Sequence, residues 1–318
     1  MTIAGEPLGT RVRRGLLLAA LALLASQTAG AQEIGVLLSS NKPAYDRAVA
    51  GFRAAFRERH PAAAFVSLGE VDGARSQEAV GRFHGACLLA VGSRALTALV
   101  AANPPQPLAF TMVLEPVDGG FLAATSPMRA RMAGSALNLS VETQLQVLHR
   151  LFPHLQRVGG LTLQGRFTDW DRLGQHTAHD LHMVWVPVRP ARVQDIPEAL
   201  DAVGPVEMLI PAPDPDLLVP RAFRIVSRLA QRSQFGLVTP SVQFVRAGAL
   251  MGMEASWSEV GRLAAQQAER LLAGERNISP MVLYPPVGHL WVNGQRAHDL
   301  RLMSELRPDP LLQLWEGR

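Results

Sequence analysis

Three histidines within seven residues, His176, His179 and His182, lie beside Asp169, Asp171 and Asp180. Imidazoles and carboxylates at this density suit Zn²⁺, Ni²⁺ or Cu²⁺. On one helix, however, positions i, i+3 and i+6 drift around the surface, so two can share an ion and a third is carried away from it. A solvated polar helix face accounts for the same residues, and no metal or other cofactor is assigned. Catalytic signatures are missing as well: there is no HExxH, no CxxC pair and no GxSxG elbow. A Ser/His/Asp triad can be assembled from scattered residues in almost any chain, so no catalytic residue is named and enzyme activity is not expected. What the chain does offer is small hydroxyls, a Gly-Ser helix start, a few carboxylates and aromatics, all at the ends of apolar runs. That is the chemistry of non-covalent recognition of a small molecule.

The elements that must position these groups alternate regularly. Short apolar runs at 34–38, 64–68, 87–91, 108–113, 158–163, 183–188, 206–210 and 235–238 read as strands covered on both faces. Between them lie helical periods. Tyr45, Val49, Phe52 and Phe56 recur at i, i+4, i+7 and i+11, and Val141, Leu145, Leu148 and Phe152 do the same behind Ser140 as N-cap. Ser256 to Glu259 reads as a capping box, and Gly274 as the stop of the helix it opens. Strand and helix in alternation mean parallel sheets with helices on both faces, an α/β protein. The stretch 115–131, rich in Gly, Pro, Ser and Thr and without period, reads as the first passage between two doubly wound, Rossmann-like lobes.

Ligands of open α/β sheets bind outside the carboxyl ends of the strands. In the first lobe those loops carry Ser39, Ser40, Gly92, Ser93, Thr111 and Glu115; in the second they carry Gln164, Trp170, Asp214 and Ser241. Ser93 opens a helix whose free N–H groups suit a carboxylate, and an ordinary N-cap is the plain alternative.

Composition sets the compartment and removes other classes. Arg11, Arg13 and Arg14, an apolar run over 15–25 and Ala29-Gly30-Ala31 form a secretory leader with cleavage expected before Gln32. The run falls short of the roughly 20 residues a spanning helix needs. Gln32, not Cys, stands directly after the cleavage site, so a free, exported periplasmic protein is expected. Of the formal charge of +4, the leader carries +2 (three Arg against Glu6), and the remaining basic residues are scattered. No nucleic-acid stripe is formed. Cys87 is the only cysteine, inside an apolar run, and reads as a buried thiol.

Ile34 to Leu38 followed by Pro43 to Asp46 and Gly51-Phe52 resembles the opening of the tryptophan/tyrosine-type substrate-binding family of ABC transporters. Ala90 to Ser93, Phe110 to Pro116, Leu139 to Leu163, Ile210 to Asp214, Phe244 to Leu250, Val260 to Gly274 and Trp291 to Asn293 with Ala297 are similar to its later signatures, in order, across nearly the whole exported chain. The chain departs from the pattern at three places. Glu115-Pro116 stands where the family has Asp-Pro. Gly134-Ser135-Ala136-Leu137 replaces an Asn-x-Thr-Gly-type turn, and Arg166 to Trp170 replaces a tyrosine/asparagine-type loop.

The resemblance implies the type I periplasmic-binding-protein fold with a ligand cleft. It also implies a solute-binding role beside an inner-membrane ABC permease, and an amino acid, possibly aromatic, as ligand. On it Ser39, Ser40, Gly92, Ser93 and Thr111 face Gln164, Asp214 and Ser241 across the cleft. Ser93 would take the ligand carboxylate and Asp214 or Glu115 its ammonium, with Tyr45 or Trp170 over an apolar side chain. The expected organisation is a leader over 1–31, a first lobe of 32–125 plus 256–280, and a second of 126–255 plus 281–318. The alternative is a periplasmic regulatory or interaction protein on the same fold, serving a sensor or an outer-membrane receptor.

Overall fold

Cys87-Leu88-Leu89-Ala90-Val91 offers apolar side chains to both faces of a pleat, and all five are buried in a strand. In the computed structural model, which describes residues 32–317, such runs build two sheets. The expected leader lies outside the described residues. No helix among those described is long and apolar enough to cross a membrane.

The first sheet contains β1 (Glu33–Leu38), β2 (Ala64–Glu70), β3 (Cys87–Val91), β4 (Leu108–Val113), β5 (Met132–Ala136) and β11 (Val282–Leu283), in the order β11-β5-β4-β3-β1-β2. Every pairing in it is parallel. Helices α1 (Pro43–Arg59) and α9 (Trp257–Leu272) cover one face, with Phe52, Phe56, Val260 and Ala264 in the core. Helices α2 (Gly73–Arg82) and α3 (Ser93–Ala102) cover the other, where Leu96, Leu99 and Phe110 are fully buried. Each such side chain contributes about 1.5–3 kcal/mol. α1 and α9 approach closely enough that a Cβ on Gly261 would stand 1.8 Å from the Ala48 carbonyl oxygen, and one on Gly51 2.1 Å from that of Ser258.

The second sheet holds β6 (Arg157–Leu161), β7 (Val184–Val188), β8 (Met208–Pro211), β9 (Gly236–Thr239), β10 (Met251–Ala255), β12 (Val287–Asn293) and β13 (Leu312–Trp315). Its order is β13-β12-β10-β9-β8-β6-β7, with β12 antiparallel to β10. Helices α4 (Val141–Leu151), α5 (Thr168–Asp180), α6 (Ile196–Val203), α7 (Pro220–Arg232), α8 (Val242–Arg246) and α10 (Gly294–Asp299) belong to this lobe. Ser140 caps α4 through the Thr143 N–H, as its position suggested.

The chain passes between the lobes three times: over 137–140, at Ser256, and over 284–286. The expected boundary at 125/126 therefore moves to the far side of β5, and that at 280/281 to the far side of β11, because both strands pair in the first sheet. Residues 115–131 are a strap between β4 and β5 rather than a passage. β5 lacks a strong apolar pattern because it is built of small residues: a Cβ on Gly134 would lie 2.1 Å from the Phe110 carbonyl oxygen. The capping box at Ser256 does not form, since the Ser256 hydroxyl lies 3.0 Å from that of Ser258 and Glu259 turns to Arg262. Gly274, at φ +86°, follows the end of α9.

Candidate functional site

The carboxyl ends of both sheets face a cleft that contains several cavities. One of about 500 Å³ lies between Ser93, Leu114, Asp118 and Phe121 of the first lobe and Arg166, Phe167 and Pro213 of the second. Another, of about 460 Å³, is bounded by Arg47, Leu114 and Trp257 on one side and by Leu218, Ser241, Met253, Glu254 and His289 on the other, with Asn138 and Ser256 of two passages at its back. A third, about 110 Å³, lies among Glu115, Asp118, Glu142, Trp170 and Tyr284.

Four of the residues singled out in the sequence line these cavities: Ser93, Ser241, Glu115 and Trp170. The others are placed elsewhere. Ser39 is buried, and its hydroxyl accepts the Ala95 N–H at 2.9 Å, so it caps α3 from a distant loop. The Tyr45 hydroxyl bonds to Ser39, and burial pushes its pKa up. Gly92, at φ +87°, has no room for a Cβ, which would meet both hydroxyls at 2.6 Å. These three residues hold the start of α3 together and leave Ser93 alone to face the cleft. Ser40 lines none of the cavities described here, and Gln164 is exposed. Thr111 is fully buried in contact with Ser135, which donates to the Val260 carbonyl at 2.7 Å, and so it anchors α9 to the sheet.

Asp214, expected to receive a ligand ammonium, is wholly buried. Its Oδ1 accepts the Asp216 N–H at 2.9 Å and pairs with Arg166 at 2.8 Å. Arg166 also reaches Asp216 at 2.5 Å. Burial raises the Asp214 pKa, against the lowering by the Asp216 N–H and Arg166. Oδ1 is thus engaged by its own loop and by Arg166 from another, while Oδ2 is buried with no hydrogen-bond partner among the described residues.

Glu115 is buried where two passages meet. Its backbone N–H and carboxylate both bond to Asn138, at 2.7 and 2.9 Å, and the Tyr284 hydroxyl donates to the carboxylate. Desolvation raises its pKa above the ordinary glutamate value, opposed by those two donors. Burial, with the neighbouring carboxylate, raises that of Tyr284. Trp170 packs edge-on against Trp185 at 5.5 Å, and the Trp185 indole N–H donates to buried Asp171.

Asp118 was not singled out in the sequence. From the strap of the first lobe it accepts the N–H groups of Asp169 and Trp170 at 3.2 and 2.9 Å, closing the N-terminus of α5 in the second lobe. Glu254 does the same for α8 through the Val242 N–H, at 2.7 Å. Arg47 and Trp257 were also missed; the guanidinium lies 5.1 Å from the indole centroid at the edge of the 460 Å³ cavity. The sequence signal available was weak in each case: an acidic residue in a Gly-rich turn, and an arginine on an exposed helix position.

His176 and His179 both turn toward Asp180, at 3.2 and 3.5 Å, with side chains largely in solvent. His182 follows the helix end, and no cluster of three ligating side chains occurs among the described residues.

No protein-family model matches the sequence, and no curated protein matches it. Solved structures do. A ligand-free, open substrate-binding protein with adhesive properties from Clostridium difficile superposes with a TM-score of 0.63 at 18% identity, covering 90% of this chain and 100% of that one. An ABC domain in complex with L-Trp from Streptococcus pneumonia gives 0.53 at 14% identity, over 87% of this chain and 99% of that one. A periplasmic ribose ABC transporter protein from Conexibacter woesei gives 0.50 at 15%, over 86% and 95%. These likenesses are of fold: two parallel-sheet α/β lobes of the type I periplasmic-binding-protein kind.

Proposed function

We propose that this chain is the periplasmic solute-binding component of an ABC importer, which takes a small polar metabolite, an amino acid, between its lobes and presents it to an inner-membrane permease. The observation that carries the reading is the cleft itself. Polar and apolar groups from both lobes line cavities of about 460 and 500 Å³, at the strand ends where α/β sheets receive ligands. Three passages of chain behind the cleft allow the lobes to hinge around a bound molecule. The residues support holding a solute rather than transforming it, and the basic leader with its small-residue cleavage site supports export.

Mass spectrometry of solute released from protein purified under native conditions tests this. A small polar metabolite, with slower amide exchange across residues 137–140 and 284–286 when it is bound, is the expected result. Protein that carries and takes up no small molecule would favour a second reading, an interaction protein on the same fold serving a sensor or outer-membrane receptor. One observation speaks for that second reading: Ser39, expected to meet a ligand, caps α3 inside the protein, and Asp214 gives one of its oxygens to Arg166.

A further inference from the structure

Two opposite charges face one cavity from different lobes, and neither is neutralised by an ion pair among the described residues. Arg47, on α1 of the first lobe, makes no salt bridge or side-chain hydrogen bond among the described residues; its one recorded partner is the Trp257 ring. Trp257 is 37% exposed, and it lines the same 460 Å³ cavity. Glu254, from β10 of the second lobe, gives one carboxylate oxygen to the Val242 N–H and keeps the other. The walls between them are Leu114, Leu218 and Met253.

Three of the helix starts near the cleft are filled from within, but that of α9, whose residues Ser256, Trp257 and Ser258 line this same cavity, has no side-chain cap. The α3 start is capped by Ser39, that of α5 by Asp118, and that of α8 by Glu254 itself. A ligand carboxylate in this cavity therefore meets the Arg47 guanidinium beside the uncapped start of α9. Guanidinium–carboxylate bonds are the strong, geometrically specific kind, and an indole under the guanidinium holds its plane.

We infer that the 460 Å³ cavity is the solute site and takes a zwitterionic amino acid with an apolar or aromatic side chain. Arg47 holds the carboxylate, Glu254 the ammonium, and Trp257 with the leucines the side chain. Because the two charges come from different lobes, the ligand joins the lobes by ion-pairing to both at once. This rests on the solute-binding reading above and names its ligand class and its residues.

Calorimetry with matched probes tests it: L-tryptophan and L-leucine, their amines tryptamine and isoamylamine, the acid indole-3-propionate, and D-ribose as a neutral polar compound. The expected result is that an amino acid binds the wild-type protein best. Arg47→Gln should then weaken it roughly tenfold or more while leaving the amines unchanged, and Glu254→Gln, which can still cap α8, should weaken it while sparing the acid. Amines or acid binding as well as the amino acids, or amino-acid affinity unchanged in both variants, would overturn the inference and leave the solute-binding reading standing. Binding of D-ribose alone has the same meaning. No binding of any probe, together with no solute released from native protein, removes both.

Discussion

The Tyr284 hydroxyl donates to the Glu115 carboxylate, and the two residues belong to different strand ends that meet where the chain leaves the first lobe. Asn138, on another passage, bonds to the same carboxylate. One buried side chain thus ties two of the three inter-lobe passages. Glu115 itself adopts a left-handed backbone, φ 37°, which is uncommon for a residue with a Cβ and is held by the Asn138 contacts.

Loss of the Tyr284 hydroxyl in Tyr284→Phe leaves a buried carboxylate short of a donor, at a cost of about 1–3 kcal/mol. The pH dependence follows from the raised Glu115 pKa. Between the ordinary glutamate value of 4.5 and the raised one, the folded protein holds a proton that the unfolded chain has lost. The Glu115 contribution to stability therefore falls as pH rises through that window. Urea melts of wild type and Glu115→Gln from acid to neutral pH should show the wild type losing ground as pH increases. A constant difference would contradict the assignment.

Asp118 crosses from the strap to close the N-terminus of α5. Asp118→Ala removes an N-cap worth about 0.5–2 kcal/mol and the one side-chain link recorded between strap and helix. The expected outcome is faster amide exchange at Asp169 and Trp170 together with a larger radius of gyration in solution scattering. Exchange unchanged at both amides would show that the clasp contributes nothing.

Much of the fold is readable from the chain because buried parallel strands are apolar runs. β3 and β4 emerge with the bounds their patterns give, and the periods of Tyr45 to Phe56 and of Val141 to Phe152 mark the buried faces of α1 and α4. β5 and β10 are hidden because their work is close approach: Gly134 and Gly252 have no space for a Cβ. The site was harder to read for a different reason. A loop position at a strand's carboxyl end says that a residue is near the cleft, not which neighbour claims it. Ser39 caps a helix that begins more than fifty residues later, and Asp214 is claimed by Arg166 from another loop. Arg47 reads as a solvated helix residue until Trp257, from the far end of the chain, is placed under it.

Gly261 lies where α9 meets α1, and a Cβ there would stand 1.8 Å from a backbone oxygen. Backbone cannot swing aside as a long side chain can, so Gly261→Val must push the helices apart. Overpacking of this kind costs typically about 1–3 kcal/mol or more. Thermal melts should show that loss, whereas Gly274→Ala, in open space past the helix end but at φ +86°, should lose less. Equal stability of Gly261→Val and wild type would mean the two helices do not pack as described.

Ser39 offers the sharpest separation between a ligand contact and a structural cap. Its hydroxyl accepts the Ala95 N–H and pairs with Tyr45, both inside the first lobe. Ser39→Ala leaves that N–H without its acceptor at the buried start of α3, at a cost of about 0.5–2 kcal/mol. A residue that touched ligand would also change affinity for whatever solute the native protein carries, beyond any change in the fraction folded. The expected outcome is therefore lower stability in denaturant with the solute's dissociation constant unchanged, measured where both proteins are fully folded. A variant of wild-type stability whose affinity drops would place Ser39 against the ligand instead of on the helix.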